Sequence, residues 1–318
     1  MLQRVSVCEQ CQTESIVKNP SGEFVCAKCK RNLDEDYFKR IISESSELAE
    51  QKDAVALFNL GFCYLNGAGV DKDTAEGIRY YTAAAEGGDI YAQYRLGRCY
   101  EKAIGVAMDN FEAALWFRRA ADQGHTQAQY RLGQCYENGL GVTRDISRAF
   151  SYYKRSGEFG NPFAQTALAR CYARGLGTGK NKVEAIHYYR LAAEQDFAPA
   201  AYQLGAIYDG AVGVDESKSQ AVYWYQKAAD KDYPQALTAL GLCYKEGNGV
   251  LKDEAKAVEY LKRAARKGDG KAQYNLGVCY LNGTGVPFCL SESMRWFSLA
   301  TENGVDEAIN FLKRKLKG

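Results

Sequence analysis

The chain has 318 residues, 41 of them basic and 39 acidic. So even a balance gives no global field for nucleic acid or an anionic membrane surface. No 18-residue apolar run is present, and Met1 to Cys11 lacks the apolar stretch of a secretory leader, so a cytoplasmic chain without a membrane span is expected. Eleven cysteines stand out.

Four of these cysteines fall in residues 1–32, as Cys8-Glu-Gln-Cys11 and, fourteen residues on, Cys26-Ala-Lys-Cys29. Two thiolates three residues apart grip one side of a tetrahedral ion, and a second such pair completes it. The expectation is one structural zinc ion on Cys8, Cys11, Cys26 and Cys29. Between the pairs, Asn19-Pro20-Ser21-Gly22 marks a turn between the β-prone stretches Ser15-Ile16-Val17 and Glu23-Phe24-Val25. The module has almost no core of its own, so zinc would supply most of its folding energy. Asn19 to Cys29 resembles the second half of GATA-type treble-clef fingers, but the loop is shorter, and a zinc ribbon stays open. Residues 1–40 carry seven basic and six acidic side chains, so a phosphate-binding stripe is not expected.

In residues 33–51, Tyr37, Phe38, Ile41, Ile42 and Leu48 take helical spacing. This amphipathic helix is expected to cap the open end of a repeat array in residues 52–318.

That array is periodic. Gly61, Gly97, Gly133, Gly205, Gly241 and Gly277 recur in steps of 36, with Ala169 in the missing slot; a leucine precedes each and a tyrosine, Tyr64 to Tyr280, stands three residues later. A fixed period of this size signals a solenoid. Each copy reads as two helices. In helix A the packed face of the second copy is Ala92, Leu96, Gly97 and Tyr100. A helical glycine costs ~1 kcal/mol against alanine, so its repeated use implies close approach of a neighbouring helix. A Gly-Val loop comes next, such as Gly105-Val106, whose glycine supplies positive φ and whose valine fills the gap between helices. Helix B opens at Asp73, Asp109, Asp145, Asn181, Ser217, Asp253 and Cys289, six of which are good N-caps. Glu76, Glu112, Glu184, Gln220 and Glu292 stand where capping-box partners belong. Its buried side carries an aromatic pair and a small pair, as in Trp116-Phe117 with Ala120-Ala121. Cys63, Cys99, Cys135, Cys171, Cys243 and Cys279 share one repeat position and read as small buried groups in a reducing compartment.

The pattern A-x3-L-G-x2-Y, the G-x-G-V loop and the aromatic-x2-A-A of helix B resemble the Sel-one-like repeats, relatives of the tetratricopeptide repeats. The resemblance covers residues 52–318. It implies an all-α, right-handed α–α solenoid of seven 36-residue helix-turn-helix copies plus a half copy (Ala308, Leu312, Leu316); the small zinc module read from the cysteine spacing would precede it. It also implies a protein–protein interaction scaffold or adaptor. A zinc-dependent nucleic-acid or regulatory adaptor whose repeats recruit a partner is the alternative, and an amide hydrolase a weaker one.

Chemistry of the enzymatic kind has little to stand on. His125 and His187 are the only histidines and neither sits in a cluster. Ser15-x-x-Lys18 and Ser151-x-x-Lys154 match a serine–lysine pattern without its companion motifs. No enzyme and no small-molecule substrate are expected.

By analogy with tetratricopeptide arrays, the helix A residues two before and one after the glycine line the concave face. With the residue four further on they are Arg95, Arg98 and Lys102 in the second copy, Arg131 in the third, and Arg170 and Arg174 in the fourth. Six basic side chains and no acidic one form a candidate patch for a protein or peptide with an acidic segment, flanked by Tyr94 and Tyr130.

Overall fold

A computed structural model describes residues 4–5, 16–18, 23–26, 32–211 and 217–315. Sixteen α-helices are present among them, in two compact units: Met1–Phe159 with Leu176–Thr178, and Gly160–Gly175 with Gly179–Gly318.

The first unit begins with a small antiparallel sheet, β1 (Ile16–Lys18), β2 (Phe24–Cys26) and β3 (Asn32–Leu33), with Val17 opposite Val25 and Phe24 opposite Leu33. The two β-prone stretches thus form a hairpin; the expected turn at Asn19–Gly22 lies outside the described residues. So do Cys8, Cys11 and Cys29, and the side chain of Cys26, whose backbone ends β2. Among the described residues no group of three His, Cys, Asp or Glu could hold a metal ion.

The described part of the N-terminal segment joins a core shared with the repeats. Phe24 lies 4.8 Å from Phe38 and 6.0 Å from Phe62, ring centre to ring centre. Val5 is fully buried and donates its backbone N–H to Asn59 Oδ1 at 2.7 Å. The N-terminal segment takes its apolar support from the repeats, at ~2 kcal/mol per buried large side chain. Helix α1 (Glu35–Glu50) is capped by Asp34, whose carboxylate accepts from the Tyr37 N–H at 2.9 Å, and it buries Tyr37, Phe38 and Ile41. It packs on α2, as a terminal cap should.

Three helical hairpins complete this unit: α2 (Ala54–Asn66) with α3 (Thr74–Glu86), α4 (Ile90–Lys102) with α5 (Asn110–Asp122), and α6 (Thr126–Asn138) with α7 (Ile146–Glu158). The second unit holds α8 (Pro162–Arg174) with α9 (Lys182–Glu194), α10 (Ala198–Ala206) with α11 (Lys218–Asp230), α12 (Pro234–Glu246) with α13 (Glu254–Arg266), α14 (Gly270–Asn282) with α15 (Leu290–Glu302), and a final α16 (Asp306–Lys315). In α16 Ala308 is fully buried and Leu312 packs against the same cluster; residues 316–318 lie outside the described residues. After α10 the chain makes a π turn, Ile207–Ala211, with Gly210 at φ 100°. Among the described residues no helix is long and apolar enough to cross a membrane.

Helix A ends in the left-handed region in six of the seven copies, usually at a glycine such as Gly139, whose N–H returns to the Cys135 carbonyl, while α10 ends at the right-handed Ile207 and runs on into the π turn. The second copy puts Ala103 there at φ 54°. The glycine of the Gly-Val pair is a second left-handed residue: Gly141 has φ 69°, and a side chain on it would collide with the backbone of Asn110. The seven expected N-cap positions of the B helices are all N-caps, although Ser217 and Cys289 make no side-chain cap bond. The capping boxes do not close as expected. The N-cap N–H instead donates to the tyrosine carbonyl of the preceding helix A, Asp73 to Tyr64 at 3.0 Å and Asp109 to Tyr100 at 3.1 Å. That bond satisfies an orphan carbonyl at a helix end and leaves Glu76 free to bind Arg79 (Nε–Oε2 2.9 Å).

Candidate partner-binding groove

Helix A presents the residues two before, one after and five after its glycine on one face. In α4 these are Arg95, Arg98 and Lys102, and in α2 they are Asn59, Phe62 and Asn66. The two sets give the groove its mixed character. Arg95, Arg98 and Lys102 line one cavity of about 350 Å³ together with Phe62, Leu65, Asn66, Tyr81, Cys99 and Ile104, and Phe24 of β2 also borders it. The arginines are half-buried and Lys102 is exposed. The cavity lining thus combines partly exposed cationic side chains with the buried rings of Phe24, Phe62 and Tyr81.

The ion pairing differs from the expectation of a patch without acidic residues. Glu101 stands three residues after Arg98, close enough along the helix for its long side chain to reach back. Its Oε2 lies 2.9 Å from Arg98 Nε, and its Oε1 lies 3.6 Å from Arg131 Nη1. Among the described residues Lys102 forms no ion pair. Arg131 also donates to Gln134 Oε1 at 3.1 Å, and Gln134 Nε2 donates to Tyr130 OH at 2.9 Å.

Tyr94 is a packing residue that leaves only 8% of its surface open. Its ring stacks on His125 at 4.6 Å, its hydroxyl donates to Gln127 Oε1 at 2.9 Å, and Arg98 Nη1 donates to that hydroxyl at 3.1 Å. Tyr94 therefore braces Arg98. Tyr130 is half-buried, 5.8 Å from Tyr153. Arg170 is half-buried and Arg174 exposed in the second unit, both beside the buried Tyr189.

His125 is the N-cap of α6: Nδ1 accepts from the Ala128 N–H at 3.2 Å. An imidazole that accepts there must be neutral. Burial, and secondarily the Arg95 charge, brings its pKa down to about 4. Burial raises the thiols of the repeat cysteines, Cys63 to about 12 and Cys99 and Cys135 to about 11. On α7, Ser151 Oγ donates to the Ser147 carbonyl and Lys154 lies 3.9 Å from Glu158.

Three groove residues escaped the sequence reading. Phe62 had a signal, since the position after the repeat glycine is arginine, glutamine or a smaller apolar residue in the other copies. Leu65 sits on the same helix. Phe24 had none, because nothing local says where a short N-terminal strand docks.

With the geometry in place, the comparisons decide the family. A model described as Sel1 repeat matches seven consecutive copies, residues 54–89, 90–125, 126–161, 162–197, 198–233, 234–269 and 270–305. The chain belongs to the Sel1 repeat family. A Sel1 repeat protein from Oxalobacter formigenes is similar at 31% identity and a TM-score of 0.71, over 89% of this chain and 82% of that one. A protective antigen of uropathogenic Escherichia coli strains, displaying an SLR fold, is similar at 28% identity and a TM-score of 0.77. That match covers 84% of this chain, which spans 57% of the antigen's length. A comparison with curated proteins returned no match. Sel1 repeats commonly scaffold protein interactions.

Proposed function

We propose that this Sel1 repeat chain is a protein-interaction adaptor whose groove on α2 and α4 captures an acidic segment of a partner protein. The observation that carries this reading is the convergence of Arg95, Arg98 and Lys102 on one cavity with Phe62, Leu65 and Phe24. A ligand carboxylate would compete with Glu101 for Arg98, while an apolar ligand side chain would rest on the rings. Rigid helices hold the arginines in place, so little ordering cost opposes binding. Arg131 shares Glu101 with Arg98 and would rearrange with it.

The N-terminal module is proposed to hold one structural zinc ion on Cys8, Cys11, Cys26 and Cys29. The two Cys-x-x-Cys pairs and the β1–β2 hairpin between them support this reading. The ion would hold β2 in shape, and with it Phe24 at the groove. The repeat cysteines, free thiols with no pairing between copies, are in keeping with a reducing, cytoplasmic setting.

The test is a fluorescence titration of the intact chain with the labelled peptide Glu-Glu-Leu-Glu-Asp. Arg95→Glu with Arg98→Glu weakens binding at least ~10-fold, since reversing charges in a binding site costs more than removing them. Equal affinity with an unchanged circular dichroism spectrum would remove the groove from consideration.

A further inference from the structure

A second site, of opposite charge and independent of the groove, emerges from the repeat itself. Asp89 closes the first copy and caps α4: its Oδ1 accepts from the N–H groups of Tyr91 at 3.1 Å and Ala92 at 2.8 Å. Its other oxygen, Oδ2, holds the Arg4 guanidinium in an ion pair, and that carboxylate is only 2% exposed. The guanidinium also lies 4.4 Å over the Tyr91 ring. An aspartate at this repeat position thus does two things at once. One oxygen caps a helix and the other receives an arginine from an extended segment.

Later copies close with His125, Asn161, Phe197, Tyr233, Asp269 and Val305. Asp269 alone restores the carboxylate, five repeats after Asp89. It caps α14 in the same manner, Oδ1 accepting from the Ala272 N–H at 2.8 Å and from Thr238 Oγ1 at 3.0 Å. Among the described residues its Oδ2 has no hydrogen-bond or ion-pair partner. Asp269 lines a cavity of about 590 Å³ within the second unit, where Asp306 and Glu307 add negative charge, Lys271 is the one cation, and Tyr202, Leu242 and Val305 supply the apolar part.

We infer that this cavity is a receptor for an arginine side chain carried on an extended segment of a partner protein, with Asp269 pairing to it as Asp89 pairs to Arg4. The ligand class comes from the occupied copy of the same position, and the negative lining agrees with it. Lys271 stands where Tyr91 does, so the ring stacking of the first copy is not reproduced by the same residue, and Tyr202 of α10 is the ring that lines the cavity. Asn59, which holds the Val5 backbone, is replaced by Ala239. The second site therefore reads the side chain more than the backbone, and binds more weakly than the tethered segment does in the first copy. Together with the groove it would let one chain engage an acidic and a basic segment.

The probe is acetyl-Gln-Arg-Val-Ser-Val-amide, which copies residues 3–7 of this chain. Calorimetric titration into the intact protein isolates the Asp269 cavity, because the tethered Arg4 fills the Asp89 position at high effective concentration. Single-site saturable binding is expected, weakened at least ~10-fold by Asp269→Asn or by citrulline in place of the peptide arginine. The variant keeps its cap, since asparagine is as good an N-cap as aspartate, and Asn161 already caps α8 at 3.0 and 3.2 Å. Arg95→Glu with Arg98→Glu leaves this binding unchanged. No saturable binding, or wild-type affinity in Asp269→Asn with a native circular dichroism spectrum, overturns the inference.

Discussion

Gly133 of α6 lies against the ring of Tyr153 of α7: a methyl group on it would come within 2.7 Å of Cε1 and 2.8 Å of Cδ1. The same contact recurs as Gly97 on Phe117 and Gly277 on Phe297. Five of the seven hairpins are closed by a ring laid on a bare helix backbone, while Gly241 takes Leu261 instead and the fourth copy has Ala169 in the glycine slot; this close packing is the gain that offsets a helical glycine.

Gly133→Leu should therefore cost about 3 kcal/mol or more, the upper end of overpacking. Paired with Tyr153→Ala it should cost less than the two single changes together, because the second removes the ring that the first strikes. Urea denaturation of the four proteins measures this. Simple additivity would separate the glycine from the ring.

His125 predicts a pH dependence. It caps α6 as a neutral imidazole with its pKa lowered to about 4 by burial, whereas the unfolded chain takes up that proton near pH ~6.5. The folded state binds fewer protons between these values, so stability is whole above pH ~6.5, falls as the pH drops toward 4, and loses up to about 3 kcal/mol. His125→Asn keeps an N-cap, as Asn161 does one copy later, and should flatten this slope. An unchanged slope in the variant would assign the acid loss to other groups.

The cysteines of residues 52–318 should label in two classes. Burial raises the thiols of Cys63, Cys99, Cys135 and Cys243 well above the ordinary range. Cys289 goes the other way, lowered by Ser291 and then by the Glu292 backbone N–H. The thiolate is the reacting form, so iodoacetamide at neutral pH should modify Cys289 first and the repeat cysteines only on unfolding. Peptide mass spectrometry reads the order, and early labelling of Cys99 would contradict the packing.

Metal analysis of the purified protein should find about one zinc per chain, from the four-thiolate rule. Cys26→Ser with Cys29→Ser should abolish it. Chelation should leave the helical signal of residues 52–318 almost intact, while weakening acidic-peptide binding through Phe24. Zinc retained by the double variant would exclude these ligands.

Much of the fold was legible because every copy repeats the same physical demands. The glycine, the N-cap aspartates and the aromatic pair each mark a close approach or an orphan backbone group, and seven copies make the register visible. What stayed hidden was non-local. The capping-box reading of Glu76 missed that the Asp73 N–H is taken by the Tyr64 carbonyl. Face arithmetic placed Arg95, Arg98 and Lys102 together but not Glu101, whose reach depends on side-chain length. The caps of the A helices, Asp53, Asp89, His125, Asn161 and Asp269, were equally periodic; they were obscured by Phe197 and Tyr233, which occupy the same position without a side-chain cap bond.

The most direct measurement is the structure of the chain bound to Glu-Glu-Leu-Glu-Asp. A ligand carboxylate is expected within hydrogen-bond distance of Arg95 or Arg98, with Glu101 turned away from Arg98 and the leucine against Phe62 and Phe24. A peptide seated elsewhere, with the Arg98–Glu101 pair intact, would contradict it.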